Sequence, residues 1–112
     1  MERNPDHERF WAVADEFIVT GRVEEGTMMG HHCLRATPGG GFVATVERSS
    51  GNLVVKLPED RVADLIRSGR GLAFAPARKV FKEWVAIPSY DAERWSGLIE
   101  ESIGFVGQGL AV

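Results

Sequence analysis

Two places in this chain combine residue types that can do chemistry. The first is Met28-Met29-Gly30-His31-His32-Cys33, which sets two imidazoles and a thiol side by side, the donor types that soft metals accept. On a strand, however, His31 and Cys33 point to one face and His32 to the other. That leaves two ligands where a structural zinc needs four and a catalytic zinc three. The spacing therefore predicts partly buried strand residues and no bound metal, and nothing in the sequence places His7 as an additional ligand. As a nucleophile and base, Cys33 and a histidine two residues away lack a third group to orient the imidazole, and no G-x-S-x-G elbow occurs. The glycines Gly39–Gly41 precede a strand, whereas a phosphate cradle opens onto a helix, so they read as a hairpin turn. The expectation is a protein that is not an enzyme and carries no cofactor.

The second place is the middle of the chain. Between Lys56 and Lys82 there are seven basic residues against three acidic ones, a net +4. The flanks are acidic, −3 over residues 1–55 and −4 over residues 83–112, and the whole chain carries −3. Part of the basic excess has an ordinary explanation, since Arg67 and Arg70 suit the C-terminal end of a helix dipole. Lys56, Arg78, Lys79 and Lys82 do not, and Trp84 falls among them. A tryptophan beside lysines on a sheet face can stack on a nucleobase or anchor a protein partner. These five residues are the candidate nucleic-acid-binding set. The competing reading is that a helix or loop covers that face and makes Trp84 ordinary second-face core.

The elements that must position these residues are legible from periodicity. From Leu53 to Leu57 apolar residues alternate, with Leu53, Val55 and Leu57 on one side and Val54 and Lys56 on the other. Across Pro58 the period changes to that of a helix, with Val62, Leu65 and Ile66 as its stripe and Gly69 as its left-handed stop. Asn4-Pro5 predicts a helix start, followed by an apolar face of Phe10, Trp11, Ala14, Phe17 and Ile18. Short strands are expected over Gly26–Gly30, His32–Thr37 and Phe42–Arg48, with Phe42, Ala44 and Val46 on one face. The brief turn-rich links imply an antiparallel meander. Leu72–Lys79 reads as an extended segment and loop. A strand Val80–Ile87 follows, turning Phe81, Val85 and Ile87 inward and Lys82 and Trp84 outward. The last helix, capped by Asp91 or Ser89, carries Trp95, Leu98, Ile99, Ser102, Ile103 and Val106 on one stripe, and the end from Gly107 to Val112 is expected to fray.

The predicted fold is thus α+β, a curved antiparallel sheet of about five strands with an N-terminal, a middle and a C-terminal helix, in the order α-β-β-β-β-α-β-α. At 112 residues, 44% apolar and 26% charged, the chain suits one domain, 1–112, with its core over about 5–106. No apolar run approaches the roughly 20 residues of a membrane helix, and the start lacks a signal-peptide h-region, so a cytoplasmic protein that does not engage membranes is expected. The single Cys33 excludes an internal disulfide.

Taken together, M-M-G-H-x-C-L-R, G-G-F-V-A-T-V, L-V-V-K-L-P-E-D-R-V-A-D-L-I-R-S-G-R-G, F-A-P-A-R-K-x-x-K-E-W-V-A-I-P and a closing helix that begins E-R-W resemble the MmcQ/YjbR-like proteins. The related N-terminal domain of TfoX-type competence regulators is similar. The likeness spans about residues 8–106, with Gly30, Lys56, Trp84 and Trp95 at family-like positions and Met29 where Phe is common. The resemblance implies an α+β domain without agreed catalytic residues and a DNA-binding label. The expected function is a non-enzymatic DNA-binding or regulatory module. The alternative is a protein–protein interaction or homodimeric module without nucleic-acid binding.

Overall fold

A computed structural model describes residues 3–28, 30–37 and 40–107. Expectations for Met29, for Pro38-Gly39 in the hairpin turn and for the end from Gln108 to Val112 lie outside the described residues. The Asn4 side chain accepts a hydrogen bond from the Asp6 amide at 2.9 Å and so caps a single 3-10 turn, Pro5–His7. That turn leads into α1 (Glu8–Val19), which buries Phe10, Trp11, Val13, Ala14 and Phe17. A meander follows: β1 (Val23–Met28), β2 (His31–Ala36), β3 (Phe42–Val46) and β4 (Leu53–Lys56). Then come α2 (Glu59–Arg67), the two-residue β5 (Leu72–Ala73), a second 3-10 turn Pro76–Arg78, β6 (Trp84–Ile87) and α3 (Ala92–Gly107). The sheet is antiparallel throughout, in the order β1-β2-β3-β4-β6-β5. The expected α+β architecture with three helices is present, and β5 adds a sixth strand. No helix among the described residues is long and apolar enough to cross a membrane.

Strand register explains why only one sheet face meets α1 and α3. Leu34, Ala44, Val55 and Val85 pair in a row across four strands, and Val46, Leu53 and Ile87 form the next row. All join one buried cluster with Phe10, Phe17, Trp95, Leu98 and Ile99. The alternate row, Cys33, Thr45, Val54 and Ala86, must face the other way. Asp91 caps α3 by accepting from the Arg94 amide at 3.0 Å, and the buried Ser102 hydroxyl donates to the Val43 carbonyl at 3.1 Å, which fixes α3 on β3. Gly69, at φ +78°, ends the turn after α2 as expected.

Four expectations are corrected. The first strand runs Val23–Met28 rather than Gly26–Gly30, because Val23 already pairs with Ala36. Phe42 does not share a face with Ala44 and Val46. The ladder passes from Leu34–Ala44 to Arg35–Phe42, so Val43 is an extra residue in a bulge and Phe42 is turned to the other face. Residues 80–83 are not strand. Phe81 N–H bonds to Phe74 O and Trp84 N–H to Phe81 O, and the resulting turn puts Phe81 with Trp84 instead of with Val85 and Ile87. Finally, Ile66 is exposed. The short α2 buries only Val62 and Leu65.

A charged clamp closes the β1 edge. The Arg3 guanidinium lies 4.4 Å above the Trp11 ring and bridges Asp15 at 2.8 Å and Glu25 at 3.0 Å, while His32 Nε2 donates to the same Glu25 at 2.8 Å. Hydrogen bonding from Arg3, helped by His32 and opposed by burial, holds the Glu25 carboxyl below its ordinary 4.5. A depressed carboxyl contributes stability that is complete above its unfolded value and fades as pH falls from about 4.5 through the folded value. Wild-type protein is therefore expected to lose up to ~1 kcal/mol more than Glu25→Gln over that acid range, a modest figure because the pair is half-exposed. Urea titrations of both proteins at pH 3 to 6 measure it. Parallel curves would remove Glu25 from the acid response.

Candidate functional site

The face that α1 and α3 leave uncovered carries a cleft of about 550 Å³. Its floor comes from the alternate row of the ladder, chiefly Cys33, Thr45 and Val54, to which the bulge at Val43 adds Phe42. Its wall is the segment between β5 and β6, from which Phe74 and Phe81 reach back over the sheet. The Trp84 indole is the centre of this aromatic group. Its ring centre lies 4.2 Å from that of Phe42, nearly parallel at 12°, and 5.5 and 5.3 Å from those of Phe74 and Phe81. A loop therefore does reach onto this face, and it leaves the cleft open beside it.

The wall is held in an uncommon backbone conformation. Ala77 and Arg78 both adopt left-handed φ, +52° and +68°, without being glycine. Such geometry costs an L-residue roughly 1–2 kcal/mol. Pro76, Ala77 and Lys79 line the cleft as a result.

Of the five sequence-derived site residues, Lys79 and Trp84 line this cleft, and Lys56, Arg78 and Lys82 do not. Lys56 is the direct cross-strand neighbour of Trp84. Lys79 lines the cleft with its ammonium 5.7 Å from the centre of the Phe81 ring. Arg78 is exposed in the 3-10 turn, and Lys82 is exposed in the turn between Phe81 and Trp84. Among the described residues none of the four cations makes a salt bridge, whereas Arg3, Arg22, Arg61 and Arg67, which lie elsewhere, each do. Sequence reasoning missed Arg48, Phe42, Phe74 and Phe81, all of which line the cleft. The recurrence of aromatics at Phe74, Phe81 and Trp84 around A-P-A-R-K was the available signal for two of them.

The His-His-Cys stretch divides as alternation requires. His31 and Cys33 line the cleft, and His32 turns to Glu25 and Trp11 on the helix side. His7 does come to border a smaller cleft with His31 and His32. Even so, no three His, Cys, Asp or Glu side chains gather to hold a metal ion among the described residues. Cys33 is fully buried, and that burial pushes its thiol up, only partly offset by Arg35. Arg35 itself is engaged by backbone, donating to the Gly40 and Thr27 carbonyls at 3.2 and 3.3 Å.

In comparison with known proteins, the chain matches no family model, and neither a curated protein nor a solved structure is found similar to it.

Proposed function

We propose that this protein is a non-enzymatic module of the cytoplasm that binds single-stranded nucleic acid on the open face of its sheet. The observation that carries this reading is an aromatic cleft lined by Arg48 and Lys79, with Lys56 paired to Trp84 across the ladder and Arg78 and Lys82 exposed in the adjoining turns, cations with no carboxylate partner among the described residues. Aromatic rings for bases beside cations for phosphates is the combination single-strand binders use. A duplex fits less well, because the arginines of α2 are engaged, Arg61 with Glu101 and Arg67 with Asp64, so that helix offers no free basic face to a groove. A non-catalytic role is favoured by a Cys33 thiol that burial pushes up, which leaves it a poorer source of nucleophilic thiolate. The DNA-binding label of the MmcQ/YjbR-like proteins, which the sequence resembles, supports the same class.

Fluorescence anisotropy with labelled single-stranded and duplex oligonucleotides over a salt series tests the proposal. Single strands should be retained more tightly, with affinity falling steeply as salt rises. Lys79→Ala and Lys82→Ala should each weaken binding evenly across sequences and reduce the log–log salt slope by roughly one. No retention even at low salt sinks the reading. The apolar floor of the cleft then favours the second one, a protein-interaction or homodimeric module. That module would show salt-insensitive association by light scattering or with a partner.

A further inference from the structure

We infer that the cleft beneath the Phe74–Phe81 segment is a pocket for one unpaired nucleotide, the base entering among the rings around Trp84 and the phosphate held by Lys79 and Arg48. The inference rests on the nucleic-acid reading and goes further, since a face that only tracks a backbone needs no pocket. Three observations carry it. At about 550 Å³ the cleft lies in the range of small-molecule sites and is large enough for one nucleotide. Its lining matches the two halves of such a ligand. The half-buried Phe74, Phe81 and Trp84 offer π-surface, while Lys79 and Arg48 outnumber Glu47, the one carboxylate that lines it among the described residues. The third observation is the pair of left-handed residues, Ala77 and Arg78, immediately before Lys79. Backbone strain of this kind persists where the surroundings fix it and gathers at ligand clamps. Here it sets the wall that presents Lys79 to the cleft.

The occupant is an aromatic anion, and charge complementarity separates it from an apolar side chain of a protein partner, which would gain nothing from Lys79 and Arg48. Amide NMR spectra titrated with AMP, adenosine and inorganic phosphate test the assignment, alongside a single-stranded oligonucleotide as a separate arm. AMP should bind saturably, with shifts centred on Val54 and the Phe74–Trp84 segment. Lys79→Ala should weaken AMP about tenfold, the scale of a lost charge-assisted hydrogen bond, and leave adenosine unchanged. If AMP produces no saturable shift up to about 10 mM, or if phosphate alone reproduces its pattern, while the oligonucleotide still binds, the pocket assignment is overturned and the open-face reading stands. Failure of both AMP and oligonucleotide overturns the two together.

Discussion

Replacing Trp95 with alanine should lower the stability of this protein by ~3–5 kcal/mol, a large share of what a domain of this size possesses. Trp95 is 3% exposed at the start of α3 and stands in the same cluster as Leu98, Ile99 and the helix-side sheet residues. Its indole N–H is also satisfied, donating to the Ser89 carbonyl at 3.0 Å, and Tyr90 packs edge-on against it at 5.1 Å. Alanine would leave a cavity at the end of α3 where the Asp91 cap fixes the chain, with the Ser89 carbonyl deprived of its donor. Urea denaturation monitored by far-UV circular dichroism gives the difference. A loss below about 1 kcal/mol would mean that α3 is not seated as described. Because the open face lies across the sheet from Trp95, oligonucleotide affinity measured where the variant remains folded should match wild type.

The helix side of this molecule could be read from sequence because each signal there is local. The stripes of α1 and α3 need only their own period, and the change from alternation to helical spacing across Pro58 marks where β4 ends and α2 begins without any knowledge of the remaining chain. The split of His31 and Cys33 from His32 follows from the same alternation, as does the neighbourhood of Lys56 and Trp84 once β4 and β6 pair. The open face resisted because its decisive features interrupt the period. Alternation assumes an unbroken ladder, so the bulge at Val43 sends Phe42 to the wrong face of any reading made by parity. A hydrogen-bonded turn at Phe81–Trp84 does the same to Phe81. Phe74 and Arg48 lie in connections, where no period exists to orient a side chain. Ile66 fits the α2 stripe yet is 39% exposed, because α2 is too short to lay a full stripe on the sheet. The basic residues of the middle segment were therefore visible in the chain, but the aromatic cleft that Lys79 and Trp84 line was not.

That cleft makes Trp84→Ala the most discriminating change on the open face. The indole is half-buried and touches Phe42, Phe74 and Phe81 at once, so alanine removes the centre of the group rather than a peripheral ring. Stability should fall by ~2 kcal/mol, less than for Trp95 because part of the indole already meets solvent. Single-strand affinity should fall by a further ~1–3 kcal/mol at every salt concentration, since a stacking surface is lost while no charge is. The log–log salt slope should accordingly stay at its wild-type value, in contrast to Lys79→Ala, whose effect is read in that slope. Trp84→Phe separates the two contributions. A phenyl ring still packs between Phe42 and Phe81, so both stability and affinity should return to within ~1 kcal/mol of wild type. If Trp84→Ala instead folds stably and binds single strands as tightly as wild type, the aromatic group is second-face core and nothing more, and the cations around it act without a base-binding partner.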